Sequence, residues 1–282
     1  MGPEKQQHVP SLELVEFVRP YTSDKILYVS KISSQLSEGE VYFRLCKAFE
    51  PYGLINDVHV VKPSVRLQTA TEGQQEERSY YYAFVKFYLA RDAAKARAGL
   101  NGKYLIGRQP ILVQHATKMK KREPSPLPFS KCLDLANHFL GFDGWSSHVV
   151  SFGQDPESPQ HDPNSLRYIC VMKIEIRGWD LSCGGVGLGE KTIDPTRPEE
   201  RVSLIGAAMK TAVNRALQNA FQKVILIVMD NKKVAVEINN TVPDGIPNST
   251  EGEAHMVPVS VQDGGTGEED DMELLLAQME SY

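Results

Sequence analysis

The residues best suited to chemistry in this 282-residue chain are Tyr80-Tyr81-Tyr82-Ala83-Phe84-Val85-Lys86-Phe87. In a β-strand alternate side chains point to opposite faces. Tyr80, Tyr82, Phe84 and Lys86 then share one face, and Tyr81, Ala83, Val85 and Phe87 the other. The second set is apolar and suits a core. The first is a row of rings ending in an ammonium group. Such a surface is costly to leave wet and is suited to stacking nucleobases and meeting phosphates.

The flanking sequence supplies elements able to hold such a strand. Leu27-Tyr28-Val29-Ser30-Lys31-Ile32 reads as a first strand, and Val41, Leu45, Ala48 and Phe49 fall on one face of a helix closed by Pro51-Tyr52-Gly53. Leu54 to Val61 alternates as a second strand, and residues 63–79 form a long polar loop before the aromatic strand. Ala90 to Leu100 is helical, Asn101-Gly102 stops it, and Pro110 to His115 reads as a fourth strand. The order βαββαβ predicts a split-βαβ, ferredoxin-like fold.

Order and octamer together resemble the RNA-recognition motif, whose third-strand signature is K/R-G-F/Y-G/A-F-V-x-F/Y. Tyr82 to Phe87 fit that pattern; Tyr80 stands at the usual base, Tyr81 at the usual glycine, and Lys31 at a first-strand position that is usually Asn or Gly. The resemblance implies that the first and third strands lie side by side, bringing Tyr28, Tyr82 and Phe84 onto one surface. Tyr80, Lys31 and Lys86 border it. Stacking alone does not separate RNA from DNA, so single-stranded DNA and RNA are both expected partners.

Charge divides the chain. Residues 1–128 carry 19 Lys and Arg against 13 Asp and Glu, residues 129–238 carry 12 against 13, and the tail from Asn239 has 10 acids and no base. The overall charge of −5 therefore conceals a basic front half. Lys118, Lys120, Lys121 and Arg122 lie just past the fourth strand, as a phosphate-gripping extension, a nuclear localisation signal or a solvated linker. Pro124, Pro126 and Pro128 then make a stiff linker.

A second α+β domain is expected over 129–238. Ser130 is a candidate cap for a helix running to Gly141, Val149-Val150 and Arg167 to Arg177 read as strands, and Gly153 to Ser165 as a mobile loop. A long helix from Pro198 to about Lys223 precedes a hairpin turning at Asp230-Asn231-Lys232-Lys233, giving the order αββαββ. Leu135-Ala136-Asn137-His138-Phe139-Leu140-Gly141-Phe142-Asp143-Gly144-Trp145 resembles the "LAN…FG(Y/F)(N/D)GW" run of the Rad-fifty-two recombination mediators. Gly184 to Gly189 is similar to that family's glycine loop, and Lys210-Thr211-Ala212-Val213-Asn214-Arg215-Ala216-Leu217 to its later helix. An RNA-recognition motif followed by this segment is similar to vertebrate proteins that carry the Rad-fifty-two motif.

That family implies single-stranded DNA binding, oligomerisation and annealing, with duplex DNA a further candidate ligand. Arg215 matches its DNA-contacting arginine and Lys210 lies on the same helix, but Asn214 and Gln218 stand where other bases are usual. Lost charges weaken the phosphate contribution. With ring-building strands that look shortened, the expectation is a homodimer or small homo-oligomer. Gly141, Gly144 and Trp145 are read as packing residues.

Competing chemistries find little support. Gly184 to Thr192 resembles a phosphate loop, yet Glu190 occupies its last glycine position and would repel phosphate oxygens. Cys46, Cys132, Cys170 and Cys183 are solitary, and the histidines form no metalloprotease pattern. No enzyme activity, metal or cofactor is expected. Without a signal peptide or long apolar run, no membrane association is expected and the setting is nuclear, with a cytoplasmic pool. The 1–23 segment is expected to be flexible and the acidic tail at 239–282 disordered, with Met272 to Met279 able to meet a protein partner. The combined reading is a DNA- and RNA-binding protein of the DNA-damage response or recombination repair. RNA processing and a sheet-based protein adaptor are the alternatives.

Overall fold

The computed structural model describes residues 12–33, 35–62, 80–117, 124–155, 164–194, 196–197, 200–231 and 233–243. The polar loop at 63–79, the basic run Lys118, Lys120, Lys121 and Arg122, and the tail beyond 243 lie outside the described residues. The protein is α+β, and divides into two compact units. One comprises residues up to Pro126 with Ile227–Val234, the other Leu127–Leu226 with the chain from Ala235 onward.

The first unit opens with β1 (Leu12–Glu16), followed by β2 (Ile26–Ser33), α1 (Glu38–Phe49), β3 (Ile55–Val61), β4 (Tyr80–Phe87), α2 (Ala90–Leu100) and β5 (Leu112–His115). Its four-stranded sheet has the order β3-β4-β2-β5, so the aromatic strand and the first motif strand are the two central ones. The core follows the alternation. Leu27, Val29, Val58, Val60, Ala83, Val85 and Phe87 are buried against Val41, Leu45 and Phe49 of α1 and Ala93, Ala96 and Leu100 of α2. Ser37 begins α1 with a capping box, accepting from the Glu40 N–H at 3.3 Å while the Glu40 carboxylate reaches back to the Ser37 N–H.

Flexibility expected over 1–23 is corrected by β1 for the part from Leu12, residues 1–11 lying outside the described residues. Val15 and Phe17 are buried, and Glu13 on the same side accepts hydrogen bonds from the backbone N–H groups of Ala90 and Arg91 at 2.6 and 3.1 Å. Leu89 leaves α2 without a side-chain cap, so a carboxylate from 77 residues away serves instead. A helix N-terminus favours negative charge, and such a cap contributes about 1 kcal/mol. Glu13 within this short run disguises its buried side as polar.

The second unit contains α3 (Phe129–Leu140), β6 (Trp145–Gln154), β7 (Ser165–Ile176), β8 (Leu181–Thr192) and α4 (Arg201–Phe221). β9 (Val224–Met229) and β10 (Val234–Ile238) follow and pair with each other. The order is therefore αβββαββ rather than αββαββ. The missing strand is β8, the glycine run read as a loop, and β6 continues through Gly153 to Gln154 where a loop was expected. The three strands span 10, 12 and 12 residues, far above the usual 5–6. α3 starts at Phe129, with Pro128 rather than Ser130 in the capping position.

Glycine makes β8 possible. A Cβ at Gly185, Gly187 or Gly189 would run into the α4 backbone at Ala216 and Ala220, Ala212 and Ala216, and Ala208 and Ala212 respectively. Two residues of strand rise about 6.7 Å and four of helix about 6.0 Å. Alternate glycines therefore keep step with an alanine every fourth position, and the two backbones lie in contact. Trp145 closes the other end as a packing anchor: its indole N–H donates to Asn137 Oδ1 at 2.9 Å and its ring meets Phe221 edge-on at 5.2 Å.

Candidate nucleic-acid interface

β4 alternates as its sequence dictates: Tyr81, Ala83, Val85 and Phe87 are buried, whereas Tyr80, Tyr82, Phe84 and Lys86 remain partly exposed. Antiparallel pairing of β2 and β4 sets Tyr28 opposite Phe84. Tyr28 lies 5.6 Å from Phe84 and 5.8 Å from Tyr82 between ring centroids, and Tyr82 meets Phe84 edge-on at 6.1 Å. The rings form one triad, each shielding its neighbours while leaving area open. Tilted and edge-on pairs of this kind stabilise by about 0.5–1.5 kcal/mol each, so the rings are held before any ligand arrives.

The register extends the surface beyond the residues singled out from sequence. His59 on β3 lies opposite Phe84, and Gln114 on β5 opposite Tyr28, so His59, Phe84, Tyr28 and Gln114 form one row across the whole sheet. His59 and Gln114 are both exposed. They supply hydrogen-bonding edges beside stacking faces. Their alternation is visible in sequence, but the register that aligns them with the rings is not.

The cations behave differently from one another. Lys31 is exposed at the bulge between Val29 and Ile32, with φ of 61°. That left-handed conformation explains the preference for Asn or Gly there and costs a lysine about 1–2 kcal/mol. The bulge turns its ammonium out of the sheet's regular alternation. Lys86 is not free: its ammonium donates to Asp57 Oδ2 at 2.9 Å on the neighbouring strand. The pair is solvent-accessible, so releasing the lysine costs about 1 kcal/mol or less.

In the second unit the matched arginine is engaged within the fold. Arg215 donates to the Leu188 carbonyl at 2.6 Å, Asn219 to Val186 at 2.7 Å and Lys223 to Gly184 at 2.7 Å. β8 is the edge of its sheet. These side chains, four residues apart on α4 and just past its end, satisfy alternate carbonyls along that edge. Other bases are paired with acids: Arg167 with Asp155, Lys173 with Glu175, and Arg177 with Asp143. Lys210 is exposed on α4. The Lys173 ammonium holds the Glu175 carboxyl below its ordinary value. Burial pushes the thiols of Cys132 and Cys170 up to about 12 and Cys183 to about 11, so they stay protonated at neutral pH. Among the described residues no cluster of His, Cys, Asp or Glu is arranged to hold a metal ion.

Comparison with known proteins places the chain. A family profile described as "RDM1 DSRM domain" matches residues 127–225, the stretch from the start of α3 to the start of β9. RAD52 motif-containing protein 1 of Danio rerio is 31% identical over 238 residues, covering 80% of this chain and 81% of its own. The protein of the same name from Macaca fascicularis is 32% identical, covering 80% of each chain. The human protein is 31% identical at the same coverage. Among solved structures, the Mip6 RRM3 domain covers 35% of this chain and 99% of its own at 20% identity and a TM-score of 0.25, too low to bear on the fold. With identity and coverage of this order along most of its length, the chain belongs to the RAD52 motif-containing protein 1 family.

Proposed function

We propose that this protein binds single-stranded nucleic acid, RNA and DNA alike, by stacking bases on Tyr28, Tyr82 and Phe84. One observation carries the reading: these rings cluster at 5.6–6.1 Å on the open face of the two central strands. Each base stacked on such a ring contributes about 1–3 kcal/mol. Duplex bases are already stacked on each other, which makes duplex DNA the weaker ligand. Lys31, Lys86 once released from Asp57, and the run from Lys118 to Arg122 supply the phosphate contacts.

The relatives' name supports a setting in DNA-damage response and recombination repair, with annealing of complementary strands as one outcome of holding them open. The setting implies a nuclear protein with a cytoplasmic pool, acting as a homodimer or small oligomer. A profile called DSRM over the second unit supports RNA as a ligand there too. Its engaged cations favour a weaker, auxiliary role. Binding and positioning account for this reading without a catalytic step.

The test is titration of single-stranded DNA, single-stranded RNA and duplex against the whole chain at two salt concentrations, with and without Tyr82→Ala/Phe84→Ala. The double variant is expected to lose about 2–6 kcal/mol of single-strand affinity, roughly 30-fold or more. Unchanged affinity would overturn the reading. A protein that ignores every oligonucleotide yet captures a peptide on this sheet would make it an adaptor.

A further inference from the structure

The sheet's aromatic face is not the only exposed aromatic surface of the first unit. On α1, the helix packed against the other side of the sheet, Phe43 is 65% exposed, and Tyr104 in the segment before β5 is 71% exposed. Phe43, Ala48 and Leu105 line a shallow groove whose rim carries Glu40, Arg44 and Lys47. Glu40 is occupied by the capping box of α1. Among the described residues neither Arg44 nor Lys47 has an acidic partner, and both are exposed. An apolar trough with unpaired cations on its rim suits an amphipathic helix bearing acids beside its apolar face.

The chain itself carries such a segment. Met272, Leu275, Leu276 and Met279 fall at i, i+3, i+4 and i+7, the spacing of one helical face. Glu268, Glu269, Asp270 and Asp271 immediately precede them, where negative charge stabilises a helix start. No Lys or Arg follows Lys233, so nothing in this stretch repels the groove's cations. The described chain ends at Pro243, leaving 24 residues before Glu268. That length reaches up to about 80 Å when extended.

We propose that residues 268–279 dock as a helix into the α1 groove of the same molecule. Met272, Leu275, Leu276 and Met279 cover Phe43 and Leu105, and the acidic run meets Arg44 and Lys47. Because α1 lies behind the sheet, the docked segment leaves the Tyr28, Tyr82 and Phe84 face open. Docking and base stacking therefore coexist, and the tail is no competitor for nucleic acid.

The test is zero-length carbodiimide coupling on the full chain, which joins lysine amines to adjacent carboxylates, followed by peptide mapping of the monomeric fraction. The main product expected is Lys47 joined to an acid within 268–273. Its yield should fall about tenfold in Phe43→Ser and in Leu275→Lys/Leu276→Lys, the loss typical of truncating a central apolar anchor. A saturating single-stranded oligonucleotide should leave the yield unchanged. Links concentrated at Lys31 and Lys86, links formed only between copies, or loss of the Lys47 link on adding the oligonucleotide would each overturn the proposal.

Discussion

β4 and β8 are both strands with one extreme face, and they use it in opposite ways. β4 fills alternate positions with Tyr80, Tyr82 and Phe84 and leaves that face partly open. β8 empties alternate positions with Gly185, Gly187 and Gly189 so that α4 comes down onto its backbone. The same period of two thus presents a surface in one unit and receives a helix in the other. The cations follow the same division. On the first sheet Lys31 stands free at a bulge and Lys86 is loosely held, while in the second unit Arg215 and Lys223 are tied to edge carbonyls. A residue type that signals nucleic-acid contact in one frame completes the fold in the other.

The contrast breaks most visibly at glycine. Gly187→Val drives a branched side chain into the Ala212 carbonyl and should destabilise the second unit by about 4 kcal/mol or more, seen as a lost or lowered thermal transition. Single-strand affinity of the first unit should survive it. Lys223→Met comes next: it leaves the Gly184 carbonyl without its donor and should cost about 1–3 kcal/mol in denaturant unfolding. On the first sheet the smaller effect runs the other way. Asp57→Asn frees Lys86 and should tighten single-strand binding a few-fold, steepening the salt dependence by about 0.7 if one more phosphate is met.

The last effect concerns the cysteines and shows only at alkaline pH. Burial raises the Cys132 and Cys170 thiols from 9.0 to about 12, so the folded chain keeps these protons longer than the unfolded one. The protonated form is shared below pH 9, and stability should decline as pH rises from about 9 towards 12. Native alkylation near pH 8 should reach half-exposed Cys46 before either of them.

Legibility differed between the units for physical reasons. In the first, apolar alternation, Pro51-Tyr52-Gly53 and Asn101-Gly102 mark nearly every boundary, and the triad follows once β2 and β4 are adjacent. Lys31 was readable as a departure, but its positive φ was not. Glu13 escaped because its partner helix start lies far along the chain. In the second unit the buried face of β8 holds Gly185, Gly187 and Gly189 where apolar side chains would mark a strand, and glycine ordinarily signals a turn. The clue lay elsewhere, in Ala208, Ala212, Ala216 and Ala220 repeating every fourth residue. Gly spaced by two and Ala spaced by four are each uninformative. Together they specify a close strand–helix contact.

The central claim is that the rings of the first unit, rather than α4 of the second, hold single-stranded nucleic acid. The direct measurement is the dissociation constant of one fluorescent single-stranded oligonucleotide for the full chain, for Tyr82→Ala/Phe84→Ala and for Lys210→Ala/Arg215→Ala, at one salt concentration. The aromatic variant should weaken binding roughly 30-fold or more, and the helix variant by less than about threefold. The reverse ranking would contradict the account.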